Sequence, residues 1–385
     1  MRKKVIISIV IVGSILILAS LAYKYFYNNQ QDTAKKEETP IAQQELTIDE
    51  KVDKIVNSMS QTEKIGQMVM IGIHGTEIND DSLYMLHQFH FGGVILFDRN
   101  MQSVEQVKKL TLDIQTKSDG KVPLFIGIDE EGGEVTRMEN ALTPPPSQQK
   151  IGESNDPEKA KQWASSTAKE LKNMGINVNF APVADVGSND TRSYSKDTNT
   201  VTNFVRAAVS GYQEQNIIYS LKHFPGIGKG KVDSHIESSS INASKETLLN
   251  EDIAPFATLI KESNPDNYFI LVSHLKYPEL DATNPASLSK NIMTDLLRGE
   301  LGYKGIIITD DMEMGAVANH NDFRSVGVNA VKAGADIVLI CHEYEHEQDV
   351  YMGILDAVKA GEISQERIDE SVKRIVKMKL LHLHQ

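Results

Sequence analysis

The chain has 385 residues of which 40% are hydrophobic, enough for the core of one large α/β domain or two smaller ones, which excludes a disordered or fibrous protein. A formal net charge of −13 opposes binding to a polyanion, and no basic cluster occurs beyond the extreme N-terminus, so nucleic acid is not an expected partner. One cysteine, Cys341, allows no intramolecular disulfide, and its place in the apolar run I-V-L-I-C marks it as a core residue rather than a nucleophile.

Residues 1–45 stand apart in composition. Arg2, Lys3 and Lys4 precede an uncharged run at 5–23, which as a helix would cover roughly 30 Å of hydrocarbon with its positive end kept in the cytoplasm. Ser20-Leu21-Ala22 offers a small-x-small cleavage site, so residues 1–27 read as a signal anchor or a signal peptide, and the length of the run favours the anchor. Residues 28–46, rich in Gln, Lys, Glu and Asp, are expected to form a flexible polar tether. The domain at 47–385 would then work beyond the cell membrane, either anchored or secreted after cleavage.

From Thr47 onward, apolar strand-like runs alternate with amphipathic helical ones. The strand candidates lie at 67–73, 93–97, 124–129, 178–184, 219–224, 268–273, 305–309 and 336–341. Between them, helical periodicity covers 82–90, 104–116, 157–174, 200–215, 245–263, 289–301, 323–333 and 346–360. A last amphipathic helix at 365–383 is expected against the bottom or side. Eight strand-helix alternations predict a (β/α)8 TIM-like barrel.

Such a barrel carries its chemistry at the C-terminal ends of its strands, and ionisable residues gather there. Asp129 to Arg137 follow the third strand, and Asp185 and then Arg192 follow the fourth. Lys222 and His223 end the fifth, His274 follows the sixth, and Asp310 and Asp311 close the seventh. Charged groups after buried strands are costly unless they are paired or used, so the repetition points to a site. After Lys222-His223 the run Pro225-Gly226-Ile227-Gly228-Lys229-Gly230 precludes regular structure, and a loop carries Asp233 and His235. An extended D-x-H segment points both side chains the same way, so the carboxylate can fix the imidazole tautomer for proton transfer.

I-D-E-E-G-G-E-V-T-R at 128–137, F-A-P-V-A-D-V at 180–186, K-H-F-P-G-x-G with D-S-H at 222–235, and P-A-S-L-S followed by I-T-D-D-M-E-M-G-A resemble glycoside hydrolase family 3. Within it they are similar to the bacterial β-N-acetylglucosaminidase (β-N-acetylhexosaminidase) branch, over about residues 47–380. The resemblance implies a retaining exo-enzyme acting on terminal N-acetylglucosamine, with peptidoglycan fragments as the glycan or muropeptide partner. It implies Asp310 as nucleophile, His235 as acid/base and Asp233 as its orienting partner. Asp311 is the local rival of Asp310, but adjacent side chains at a strand end diverge. The resemblance also implies sugar contacts from Asp129, Arg137, Arg192, Lys222 and His223. No cofactor and no metal are expected, since His74, His223, His235 and His274 share no local spacing.

The family loop reads P-G-H-G-D-T, whereas this chain has Ile227, Lys229 and Gly230 at the three changed positions. Lys229 or Lys231 would favour an anionic acceptor. A phosphorylase or another β-glycosidase on the same fold, and a muropeptide-binding protein with weakened turnover, are the alternatives to hydrolysis. Oligomeric state is not legible.

Overall fold

Eight short apolar runs form the eight parallel strands of a closed barrel: β1 (Val69–Gly72), β2 (Gly93–Leu96), β3 (Phe125–Ile128), β4 (Val178–Asn179), β5 (Ile218–Phe224), β6 (Tyr268–Val272), β7 (Ile306–Asp311) and β8 (Ile337–Ile340). Each pairs with its sequence neighbour, and Met70 opposite Leu339 closes β1 onto β8. Nearly every strand residue is buried, as a parallel sheet covered outside by helices requires. The computed structural model describes residues 2–34, 46–138, 142–188, 190–230, 239–318 and 322–383. Its chain divides into Met1–Thr47 and Ile48–Gln385.

In the first unit one helix, Arg2–Ala34, takes in the uncharged run and continues through the polar residues after Tyr23, so the expected tether at 28–46 begins as helix. Among the described residues no helix is long and apolar enough to cross a membrane.

In the second unit the expected elements recur with shifts that have local causes. The strand expected at 67–73 starts only at Val69, because Gln61–Gln67 is a helix begun by a capping box: the Ser60 hydroxyl accepts from the Glu63 N–H and the Glu63 carboxylate from the Ser60 N–H. A further helix at Ile48–Ser58, whose apolar residues Val52 and Val56 are buried, is not legible as a separate element in the barrel pattern. The run expected at 178–184 gives only Val178–Asn179 as ladder, since Pro182 has no N–H to donate. The chain still follows β5, with Ser220 N–H donating to Ala181 O and Ala184 N–H to Lys222 O.

The last helix, Gln365–His382, packs at the N-terminal ends of the strands. Lys379 is fully buried there, donating to Gln67 Oε1 and to Gly92 O at 2.7 Å each, with its ammonium 4.8 Å from the Phe125 ring centroid. Beside it Asp336, the residue before β8, is wholly buried and binds Arg298, Arg374 (3.1 Å), the Ser371 hydroxyl (2.6 Å) and the Ile307 N–H (2.9 Å). Burial opposes its charge, yet Arg298, Arg374 and Arg367 together hold the carboxyl below its ordinary range.

Asp336→Asn leaves these guanidiniums against a neutral amide and is expected to cost about 3–5 kcal/mol in urea unfolding at pH 7. Because the folded-state pKa is depressed, the contribution is present above the unfolded value of 3.8 and lost as pH falls through the folded one, so the wild-type advantage shrinks in acid. A cost under about 1 kcal/mol would contradict this role.

Candidate active site

At the opposite end of the barrel the strand termini enclose a cavity of about 240 Å³ whose lining includes Asp129, Glu131, Arg137, Arg192, Lys222, His223, Asp310, Asp311 and His342. After β3 the chain turns sharply: Glu131 N–H donates to Val135 O, with Gly132 and Gly133 at φ of +89° and +63°. A Cβ at Gly133 would lie 2.6 Å from Ser147, so the turn needs glycine for both angle and space. This reversal brings Arg137 back to the mouth, where its guanidinium meets Asp98 at 3.2 Å and lies 5.6 Å from the Phe97 ring centroid.

Beneath the mouth lies a network of charges. Lys222 Nζ is 2.6 Å from both Asp129 Oδ1 and Glu131 Oε1, and the Lys222 and Glu131 side chains are only 3% and 1% exposed. Arg192 grips Glu131 with two hydrogen bonds of 2.8 Å. Burial would raise the Glu131 carboxyl, but Lys222 and Arg192 outweigh it and hold the group well below the carboxylate range. Burial likewise opposes the Lys222 charge, and Asp129 and Glu131 overcome it.

His223 joins this network to the next strand. Its Nδ1 lies 2.8 Å from Asp185 Oδ2 and its Nε2 3.1 Å from Arg192 Nη2. A guanidinium can only donate, so the bond network assigns the ring proton to Nδ1. Asp185 Oδ1 accepts from the N–H groups of His223 and Ile227, which fixes the start of the loop.

Across the cavity, β7 ends in Asp310 and Asp311. The Asp311 N–H donates to Asp310 Oδ1 at 2.9 Å, and the Asp311 carboxylate accepts from the Glu313 N–H and faces His342 Nε2 at 3.2 Å. Buried His274 donates to the Asp311 carbonyl at 2.7 Å and accepts from the Ser287 hydroxyl, so it holds the strand end rather than the cavity. Asp129, Arg137, Arg192, Lys222, His223 and Asp310 line this one cavity, whereas Asp233 and His235 lie outside the described residues. Cys341 is buried, with its thiol pushed well above the ordinary range by burial.

Two expectations need correction. The charge of Lys229 is already matched by two carboxylates, its Nζ binding Glu251 and Asp252 at 2.6 and 2.7 Å, so it offers no net positive charge to an anionic acceptor, and Lys231 lies outside the described residues. The spacing argument against a metal also leaves out His342 to His346, which reads H-E-x-x-H. In zinc hydrolases that pattern places both imidazoles on one helix face. Here His342 precedes the helix Tyr344–Lys359, and His346 is 2.6 Å from Glu313 and stacks on Phe323. Donor atoms of Asp311, Glu313 and His342 do lie within 4.8 Å of one another. Glu313, however, accepts from the N–H groups of Cys341, His342 and Glu343 as well as pairing with His346, which makes it the cap of the loop after β8. Glu131 and Asp185 stand in the sequence only as polar residues after strands, and Arg99 and His342 carry no signal beyond that placement.

Glu130, behind the cavity, accepts from the Arg137 N–H at 2.7 Å through Oε2, and its buried Oε1 has no hydrogen-bond partner. Burial pushes this carboxyl up to about 7. A raised folded-state pKa gives stability that is present below the unfolded value near 4.5 and lost as pH rises through about 7. Wild-type stability should therefore fall from pH 5 to 8 more steeply than that of Glu130→Gln, by up to about 2–3 kcal/mol. Parallel pH profiles in thermal unfolding would refute the assignment.

Comparison with known proteins accords with this architecture. Residues 60–378 match the family described as Glycosyl hydrolase family 3 N terminal domain. The chain is 34% identical over 325 residues to Beta-hexosaminidase A of Pseudoalteromonas piscicida, covering 77% of this chain and 54% of that protein, so it spans about half the length of that relative. It is 32% identical to Beta-hexosaminidase of Nitrosomonas eutropha, covering 71% of this chain and 80% of that one. Among solved structures, a glycoside hydrolase family 3 beta-N-acetylglucosaminidase from Paenibacillus sp. str. FPU-7 superposes with a TM-score of 0.82 at 37% identity, covering 85% of this chain and 63% of that chain. With its barrel closed and the family match running through nearly all of it, this chain belongs to glycosyl hydrolase family 3.

Proposed function

We propose that the chain is a retaining exo-β-N-acetylglucosaminidase that removes terminal β-linked N-acetylglucosamine from peptidoglycan fragments. The observation that carries this reading is the convergence of Asp310 with Asp129, Arg137, Arg192, Lys222 and His223 on one cavity. At about 240 Å³ it lies below the roughly 300–1,000 Å³ of sites for drug-sized ligands, which favours a single sugar over a chain segment. Lys222 has three N–H donors, and two go to Asp129 and Glu131, leaving one for a sugar hydroxyl. The names of the relatives support the substrate class.

In the proposed reaction Asp310 attacks the anomeric carbon while His235 gives its proton to the departing oxygen; the glycosidic bond breaks and a glycosyl ester to Asp310 forms. His235 then takes a proton from water, which attacks the same carbon and frees Asp310. Asp233 orients the imidazole and stabilises its cation. An imidazole acid adds no negative charge beside the nucleophile. Display beyond the membrane, by a retained or cleaved N-terminal segment, is part of the proposal and rests on the basic triplet before the uncharged run at 5–23.

With p-nitrophenyl N-acetylglucosaminide, Asp310→Asn is expected to lower kcat by on the order of 10³-fold or more. His235→Ala should slow cleavage of natural disaccharides much more than that of the activated phenol, which needs little protonation. Equal losses on the two substrates would contradict the acid assignment, and sugar 1-phosphate formed in phosphate buffer would replace hydrolysis by phosphorolysis.

A further inference from the structure

The cavity contains a second imidazole that the proposed reaction leaves unused. His342 follows β8, and its half-exposed ring faces Asp311 Oδ2 through Nε2 at 3.2 Å while Arg99 Nη1 approaches its Nδ1 at 3.1 Å. Arg99 follows β2 and is itself fixed by donating to Ile73 O at 3.1 Å and to Cys341 O. Its guanidinium lies 4.6 Å from the centroid of Phe97, whose ring also packs against that of His342 at 5.4 Å.

Because a guanidinium cannot accept, Nδ1 of the ring must, and the imidazole proton then sits on Nε2, which lies 3.2 Å from Asp311 Oδ2. Packing on Phe97 and the bond from Arg99 fix the place of the ring and leave its Nε2 edge turned to other partners. The backbone of the loop is already held at residues 341–343 by Glu313, and the His342 carbonyl accepts from His74. Neither contact involves the imidazole. What its Nε2 edge meets is the carboxylate next to the proposed nucleophile.

We propose that His342, locked by Arg99 as the Nε2–H tautomer, is a positioning residue that ties back the Asp311 carboxylate so that Asp310 alone is presented to the sugar. The Asp311 N–H is the donor to Asp310 Oδ1, so the residue that His342 faces is bonded directly to the nucleophile. The division of labour between two adjacent aspartates would then be set from β2 and β8 rather than within β7. This inference rests on the glycosidase reading.

The test uses the full chain and the chromogenic N-acetylglucosaminide. His342→Ala is expected to lower kcat about tenfold with KM changed by less than about twofold, because the lost contact acts on the nucleophile and not on sugar binding. His342→Gln keeps an N–H donor for Asp311 and an oxygen acceptor for Arg99, and should recover most of the rate. In the substrate-free wild type, ¹⁵N shifts of the ring should show a protonated Nε2 and a bare Nδ1 at pH 8. Equal losses in the two variants, a loss confined to KM, or a ring protonated on Nδ1 would overturn the positioning role in an active enzyme. A wild type without turnover would instead overturn the glycosidase reading on which it stands.

Discussion

The candidate site depends on one buried carboxylate. Glu131, almost wholly out of water, is held ionised between Lys222 and Arg192, and each of those cations in turn holds another group, Asp129 in one case and His223 in the other. Desolvating three charges is unfavourable unless each lone pair and proton finds a partner, and here the partners come from the loops after β3 and β4 and from β5 itself. The same exchange of bonds that makes the burial tolerable fixes the donors in space before any sugar arrives. Such preorganisation is what lets donors favour a transition state without reorganising during the reaction.

The barrel separates this demand from the demand for stability. At the N-terminal ends of the strands, the fully buried Asp336 and Lys379 tie the last helix to the sheet. At the C-terminal ends, the polar residues open onto a cavity. An exchange at Asp336 therefore acts on folding, while one at Asp310 or His342 falls on the lining of the cavity.

Much of this was legible in the sequence because it rests on local pattern. Apolar runs alternating with helical periodicity mark all eight strands, and a charged residue directly after each of several runs marks the mouth. Boundaries failed where local chemistry overrides the pattern: the Ser60 capping box turns Gln67 into helix, and Pro182 removes a rung from β4. Long-range partnerships were not legible. Nothing near Lys229 in the chain announces that Glu251 and Asp252 absorb its charge, and nothing near His342 announces Arg99 from another strand end. These pairings arise from tertiary folding, which brings together residues tens to hundreds of positions apart.

The central claim is that this network presents a single carboxylate, Asp310, to an N-acetylglucosamine residue. Peptide-mapped mass spectrometry after exposure to a slow N-acetylglucosamine-derived substrate with an activated leaving group tests it most directly. A glycosyl mass added to the peptide carrying Thr309-Asp310-Asp311, and abolished by Asp310→Asn, is the predicted result. Turnover with no covalent adduct at any time point, or an adduct that persists in Asp310→Asn, would contradict it.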